Sequence, residues 1–473
     1  MKTRSKPSIS LIIIALTLVM QAYADVKQPN ILFFVADDHG RADCSVFGSK
    51  DARTPKMQSL ADEGMVFSNA FIASPVCGPS RCALLSGLMP ARNGAEGNHV
   101  LPKRESQTMV KHLKELGYEV AAIGKVAHGD YGSLCGFDHL NTNKNGLRDS
   151  VKKYLSARNS DKPLCLIVGD RRPHVPWTKK NVYDPQKVTL PSYFIDTPET
   201  REHWARYLSD ITGMDAEMAA VDQLLREHLG SDDYITMYSA DHGGQWPFGK
   251  WNLYDSGANV ALIVRWPGKI KAGQRTDAMV SWVDIFPTFI DLAGGPAPEN
   301  IDGRSFAGVL LGKTAEHRDV IYTTHTGDKG MNVYPIRAVR TKRFKYIRNL
   351  HPEWQHSNHS DIGRKDGAGA YWHSWDEAIK KDPAAAAKLN RYFVRPATEF
   401  YDLEKDPAEQ VNLAENPEYR LQIEKMSALL DEWMKAQGDK QISGSGTPYL
   451  ADGPRPFDAV SKRKQSKKKQ KKK

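Results

Sequence analysis

Beyond its first two dozen residues, this 473-residue sequence has no apolar run long enough to cross a bilayer, and it has no internal repeat. A membrane-spanning body is therefore not expected. Acids are missing from both ends. Residues 1–24 carry three Lys/Arg and no Asp or Glu, and residues 462–473 carry nine and none. Setting those aside turns the formal net charge of +10 into −2 for residues 25–461. The basicity belongs to the ends, so no nucleic-acid partner is expected. Cysteine is scarce: Cys44, Cys77, Cys82, Cys135 and Cys165. An odd count in an exported chain raises the question of which one is special. If Cys77 is chemically used, the other four allow two disulfides in three connectivities, or free buried thiols.

What is present begins with an export signal. Lys2, Arg4 and Lys6 form a positive start, and Ile9 to Met20 is apolar except for Ser10 and Thr17. Ala22-Tyr23-Ala24 is a small-x-small cleavage site, so the mature chain should start near Asp25. No cysteine follows it, which leaves a lipoprotein anchor without support. The expected product is exported (periplasmic, secreted or lumenal) with no transmembrane segment; an uncleaved N-terminal anchor is the alternative. Hydrophobic residues at 40% and charged residues at 26% give a globular balance. The length suits a large domain plus a smaller one. The expected layout is a signal at 1–24, a catalytic domain at 25–315, a C-terminal α+β subdomain at 316–455 and a basic, disordered tail at 456–473.

Short apolar runs at Ile31–Val35, Val120–Ile123, Leu164–Val168, Tyr234–Tyr238 and Ala261–Val264 read as buried strands of a parallel sheet. Thr54-Pro55 opens a helix that stops at Gly64, and the stripe Met109, Leu113, Leu116 marks another. Thr197-Pro198 starts a long helix. Its stripe from Trp204 through Leu208, Ile211, Met218 and Val221 to Leu225 is broken only by Asp215. Alternating strands and helices predict an α/β fold, a doubly wound and mainly parallel sheet. After residue 316 the strands Val320–Thr323, Ile336–Val339, Phe344–Ile347 and Phe400–Leu403, and a helix over 417–436, predict a smaller α+β domain with an antiparallel sheet. Residues 353–395 read as a polar, irregular insertion or rim loop.

Ligands in open α/β sheets bind beyond the carboxyl ends of strands. Polar residues gather at those ends here: Asp37-Asp38, Lys125 and His128, His174, and Asp241-His242 with Lys250 soon after. Singly, each has a structural reading, a helix cap for the acid pair or a satisfied core group for a histidine. Three converging carboxylates would repel without a cation, and oxygen ligands favour Ca2+ or Mg2+. Cys77-Gly78-Pro79-Ser80-Arg81 precedes Leu84-Leu85-Ser86-Gly87. Pro79 can open a helix, which places Cys77 at or near its positive N-terminus, a good seat for an anion. Arg81 adds a fork for oxyanions.

The C-x-P-S-R core followed by L-L-S-G resembles the sulfatase signature. The resemblance extends to N-I-L-F-F-V-A-D-D, G-K-x-x-H, P-H-x-P, S-A-D-H-G, and F-Y-D-L-x-x-D-P-x-E-x-x-N-L over Phe400–Leu413. It implies an alkaline-phosphatase-like fold and oxidation of Cys77 to formylglycine by a formylglycine-generating or equivalent maturation enzyme. It implies one Ca2+ held by Asp37, Asp38, Asp241, His242 and the modified Cys77. Arg81 would orient the modified side chain, while Lys125, His128, His174 and Lys250 hold sulfate or handle protons. Hydrated formylglycine carries two hydroxyls on one carbon; one attacks sulfur and the second expels sulfate. His174 is the candidate acid for the leaving atom, and His128 assists the release.

For the sulfated sugar substrate, Leu190 to Leu225 and Tyr334 to Leu350 resemble heparan N-sulfatases. Gly124-Lys125-Val126-Ala127-His128 and Asp241-His242-Gly243 resemble iduronate-2-sulfatases instead. The favoured reading is release of sulfate from N-sulfoglucosamine of heparan-type chains. Alternatives are an O-sulfatase, a phosphonate or phosphate ester hydrolase, a Ser80-based two-metal hydrolase, and a non-catalytic polyanion binder should Cys77 stay a thiol. His99, Tyr334 and Arg337 are candidate sugar contacts. No oligomeric state follows from these residues.

Overall fold

The computed structural model describes residues 28–328, 332–441 and 446–461. The expected signal at 1–24 and most of the basic tail lie outside the described residues. Eight strands form the main sheet: β1 (Asn30–Ala36), β2 (Met65–Phe71), β3 (Glu119–Gly124), β4 (His139–Asn141), β5 (Leu164–Gly169), β6 (Tyr234–Ala240), β7 (Leu262–Arg265) and β8 (Gln274–Ser281). Their spatial order is β4-β3-β5-β1-β6-β7-β2-β8, and only β7 runs against its neighbours. The expected α/β class with a mainly parallel sheet holds. Every residue of β5 and β6 is buried, which explains why these strands read as continuous apolar runs.

The helices fall into two mutually packed groups. In one are α1 (Pro55–Glu63), α4 (Leu147–Ala157) and α5 (Pro198–Leu229); in the other are α2 (Cys77–Ser86), α3 (Met109–Glu115) and α6 (Ile285–Leu292). Thr197 caps α5 by accepting from Thr200 N at 3.1 Å, Pro198 fills its first position, and Gly230 ends it in a left-handed conformation. The one acid in its apolar stripe, Asp215, is buried and accepts from the Lys56 and Met57 backbone N–H groups, both at 2.9 Å. It therefore caps α1 from across the fold.

A second sheet of β9 (Ile321–His325), β10 (Ile336–Arg340), β11 (Phe344–Asn349) and β13 (Thr398–Asp402) is antiparallel throughout, in the order β13-β11-β10-β9. A two-stranded pair joins β12 (Trp354–Gln355) to β14 (Tyr449–Leu450). Helix α10 (Arg420–Gln437) covers the second sheet through Met426, Leu430 and Met434, packed with Val339, Tyr346 and Phe400. The segment read as irregular, 353–395, instead carries α7 (His359–Gly363), α8 (Trp372–Ala378) and α9 (Pro383–Phe393). Asn358 and Asp361 form a capping box at α7, and Asp382 caps α9. Buried Trp372, Trp375, Tyr392 and Phe393 fix these short helices through aromatic packing that has no sequence period. Phe457 lies under the Arg364 guanidinium at 3.8 Å, so folded chain extends past residue 456. All five cysteines are free and buried, so neither disulfide forms.

Candidate functional site

Four adjacent strands end level. Gly124 of β3 pairs with Gly169 of β5, Val35 of β1 with the same Gly169, and Ala36 with Ala240 of β6. The next residues are Lys125, Asp170, Asp37 and Asp241, so the register itself gathers the chemistry. The β3 and β5 ends approach closely: a Cβ on Gly169 would lie 2.0 Å from the Lys125 carbonyl oxygen. Gly124 sits at φ 83° and faces the Gly169 carbonyl just as tightly. Helix α2 brings its N-terminus to this edge, with Cys77 as its first residue and Val76 as N-cap. All ten residues of α2 are buried, Arg81 included.

The Cys77 Sγ is the centre of the cluster. It lies 3.2 Å from His242 Nε2, 3.3 Å from Lys250 Nζ, 3.5 Å from Lys125 Nζ and 3.6 Å from Asp37 Oδ1. Lys125 pairs with Asp37 at 2.5 Å, and Lys250 with Asp38 at 2.8 Å. Arg81 donates through Nε to Asp241 at 2.9 Å and reaches Asp37 at 3.4 Å; it also donates to the carbonyls of Lys125 and Val126. Burial raises the Asp37 acid, but Lys125, His174, Arg81 and Lys250 together hold it well below the carboxylate range. Asp38 is lowered likewise, against burial, by Lys250, His174 and His242. Asp241 is raised, since burial there outweighs His242 and Arg81. Burial also pushes the Cys77 thiol far up, beyond what Lys125 and Lys250 offset, so it is a thiol at neutral pH.

Asp37 and Asp38 offer the oxygen donors that a hard cation takes, His242 adds a nitrogen, and Cys77 would add oxygen in place of sulfur only once oxidised. The ligand atoms of Asp37, Asp38, Cys77 and His242 all lie within 4.8 Å of one another. His242 Nδ1–H donates to the Gly243 carbonyl at 3.0 Å, which leaves Nε2 an acceptor lone pair with the Cys77 thiol 3.2 Å away. That lone pair faces Asp38 Oδ1 at 3.4 Å and Asp241 Oδ2 at 3.5 Å. Acceptor facing acceptor is repulsive unless a cation lies between them. Asp241, expected beside the others, stands one step back: its Oδ1 accepts from the Asp38 N–H at 3.0 Å while its Oδ2 takes Arg81. Asp38 holds φ 67°, as do the neighbouring pocket residue Trp251 and, at 63°, His99. Such left-handed non-glycine backbone is costly.

Above the thiol opens a cavity of about 650 Å3, lined among others by Cys77, His99, His128, His174, Lys250 and Trp251. His174 donates through Nδ1–H to the Val175 carbonyl at 2.6 Å. Its pKa is lowered to about 4 by burial, with Lys250 and Lys125 adding and Asp38 opposing. His128 is driven down to about 2 by burial and the neighbouring Lys125 and His99, and its Nε2 is 2.8 Å from His99 Nδ1. Both rings are therefore neutral at pH 7 in this state. Of the three suggested sugar contacts only His99 lines the cavity. Arg337 is held by Asp439 at 2.5 and 2.9 Å, and Tyr334 is fully buried against His356; both are structural.

The structure adds wall residues that sequence reading missed: Asn98, Gln245, Asp328, His359 and Lys365. Asn98 accepts from the Gly78 N–H at 3.0 Å and donates to Asp328 at 3.0 Å, tying the start of α2 to the second sheet's edge. Adjacency to His99 was its one local signal; Asp328 and His359 had none. The rim reading of 353–395 is correct in place, since His359, Gly363, Lys365, Asp366 and Ala368 all border the cavity.

Residues 29–295 match the Sulfatase family model, and residues 242–360 match the N-sulphoglucosamine sulphohydrolase, C-terminal, model. An ulvan-active sulfatase of Formosa agariphila is 31% identical over 446 residues, covering 89% of this chain and 83% of its own. Human N-sulphoglucosamine sulphohydrolase is 27% identical over 470 residues, covering 89% of this chain and 92% of its own. A solved 2-O GAG sulfatase superposes with TM-score 0.67 at 22% identity, covering 92% of this chain and all of its own. With the cysteine at the mouth of a buried helix, the acids at the strand ends and these matches together, the chain belongs to the sulfatase family.

Proposed function

We propose that this enzyme releases sulfate from a sulfated glycan, with N-sulfoglucosamine of heparan-type chains as the favoured unit. One observation carries the reading: Cys77 Sγ lies at the floor of a sugar-sized cavity with Lys125 and Lys250 at 3.5 and 3.3 Å. Two cations there suit the oxygens of a sulfate group, and the cavity above has room for the sugar that bears it. The N-sulphoglucosamine match over 242–360, which includes rim residues Asp328 and His359, supports the choice of sugar.

Conversion of Cys77 to formylglycine would supply an oxygen nucleophile where a protonated thiol now stands. Asp37, Asp38 and His242, with Asp241 behind them, would hold one Ca2+, whose contribution is to polarise the sulfate oxygens. Arg81 keeps Asp241 and the Lys125 carbonyl in place. Lys125 and Lys250 turn from their carboxylates to bind sulfate oxygens as negative charge is redistributed. His174 presents Nε2 to the cavity; an arriving anion raises its pKa, and it then protonates the leaving nitrogen or oxygen. His128, neutral beside His99, accepts a proton as sulfate departs.

An O-sulfated glycan is the second reading. It is favoured by His242 after Asp241 and by the ulvan-active relative. No helix among the described residues is long and apolar enough to cross a membrane. We further propose residues 1–24 as an export signal, a domain limit near 315, and a basic tail that begins after the folded chain, which reaches beyond Phe457. The test uses protein whose Cys77 conversion is confirmed by mass. Sulfate release is measured on N-sulfoglucosamine, on 2-O-sulfated iduronate and on ulvan fragments, with phosphate esters beside them. Release from the N-sulfated sugar supports the first reading, and release from O-sulfated sugars alone replaces it with the second. Preference for phosphate esters would sink both.

A further inference from the structure

A second cavity, of about 360 Å3, shares the His174 and Pro176 wall with the reaction cavity. Its charged lining is Lys144, Arg171, Arg172, Asp170, Asp210 and Glu217. Most of these are already engaged. Arg172 grips Asp170 at 2.6 Å and lies 3.5 Å from Glu217. Glu217 also accepts from Arg148 N at 2.8 Å, and Asp210 accepts from Thr178 N at 2.9 Å. Two cations are left over. Among the described residues Lys144 makes no hydrogen bond or ion pair, and Arg171 donates only to the Val175 carbonyl at 2.7 Å.

Lys144 and Arg171 line this one cavity together, Lys144 exposed and Arg171 half-buried. The Lys144 ammonium is held below the usual lysine range by partial burial and then by Lys125, Arg171 and Arg81, with only Asp37 opposing. Asp210 shares this lining, its acid raised by burial with the Thr178 N–H, Arg172 and Arg171 opposing, so Arg171 has a carboxylate within reach of its charge. An anion seated between Lys144 and Arg171 would still meet two cations that form no ion pair. Arg171 retains most of its donors, in a geometry that matches a planar carboxylate or a sulfate.

We propose that this cavity is a second anion subsite, in which Lys144 and Arg171 hold a further sulfate or a uronate carboxylate of the same glycan while its reacting sulfate lies at Cys77. The inference rests on the sulfated-glycan reading above. It makes Lys144 and Arg171 specificity-determining residues that act through substrate binding.

The experiment compares wild type, K144A and R171A on four probes. These are N-sulfoglucosamine, its 6-O-sulfated form, a sulfated disaccharide bearing a uronate, and that disaccharide with its carboxyl reduced. Each charged contact is expected to contribute about tenfold in kcat/KM, carried by KM. The wild-type preference for two-anion over one-anion probes should collapse about tenfold in each variant. Where the carboxylate is the ligand, its reduction lowers wild type but costs the variants nothing further; where a second sulfate is the ligand, the 6-O-sulfated sugar shows that pattern instead. Equal losses on all four probes, or none on any, would overturn the subsite while leaving the glycan reading intact. Turnover of an aryl sulfate with none of these sugars by wild type would overturn both.

Discussion

Asp215 offers the sharpest test of how this fold is held. By periodicity it belongs to the apolar stripe of α5, so leucine there should be neutral or stabilising. By structure it is the N-terminal cap of α1. Pro55 has no N–H to satisfy, Thr54 makes no side-chain cap bond, and the Lys56 and Met57 N–H groups both go to Asp215 at 2.9 Å. The D215L substitution strands both donors, one of them on a fully buried residue. Each unpaired buried donor costs about 1–3 kcal/mol. Burial raises the Asp215 acid, so losing the carboxylate returns part of that, and the new leucine returns about 1–2 kcal/mol of apolar burial. The net is a loss of about 2–4 kcal/mol for D215L and about half that for D215N, which keeps one acceptor oxygen. In a chain of this size that corresponds to a fall of a few degrees in Tm. Urea and thermal unfolding of wild type, D215N and D215L should rank in that order. A D215L protein as stable as wild type would refute the cap and restore the stripe.

Three further outcomes follow from the site and its rim. C77A should lose at least about a thousandfold in sulfate release while keeping its thermal transition; residual activity near wild type would remove Cys77 from the chemistry. Calcium at about a hundred times its Kd should stabilise wild type by about 2.7 kcal/mol, an increment that D38N lacks and EDTA abolishes; a wild-type Tm indifferent to both reagents would sink the cation site. Asp361 is raised to about 8 by burial, against the Asn358 backbone bond, so the folded state keeps a proton that the unfolded state gives up near pH 4. Stability should therefore fall as pH rises from about 4 to 8, by several kcal/mol at most, and D361N should flatten that slope; parallel slopes for the two proteins would count against it.

The parts of the fold visible in the sequence are those whose signals are local. β1, β5 and β6 announce themselves because burial on both faces makes every position apolar. Thr197-Pro198 marks the start of α5 because the cap lies in the first turn itself. β2 and β8 escaped notice: Ser68 and Asn69 interrupt the first, and alternating exposed polar residues open the second. β4 has three half-buried residues and no pattern at all. At the site, strand-end placement revealed Asp37, Asp38, Lys125 and Asp241 together, since one register sets four ends level. Asp328 and His359 come to the cavity from more than two hundred residues beyond Cys77, and only tertiary structure connects them. Arg337 and Tyr334 misled for the complementary reason: a polar residue in a motif-like stretch can be consumed by a buried partner, as Asp439 consumes Arg337.

The balance of charge explains why so many ionisable groups can be buried at one point. Asp37, Asp38 and Asp241 face Arg81, Lys125 and Lys250, three charges of each sign, all inside the protein. Unpaired, any one of them would be very costly to bury. Arg81 is fixed by carbonyls as well as carboxylates, so it is scaffold. The two lysines have flexible stems and a second neighbour in the Cys77 side chain, so they can change partner. A bound dication and inorganic sulfate, the dianionic product, would together add no net charge, which would allow an exchange of partners without an unbalanced state. The carboxylates would hold the metal in place of lysine, and the lysines would be free to hold sulfate. On this argument K125A or K250A should weaken inorganic sulfate as a competitive inhibitor more than they weaken calcium. Equal loss of both ligands would show that the lysines serve the carboxylates alone.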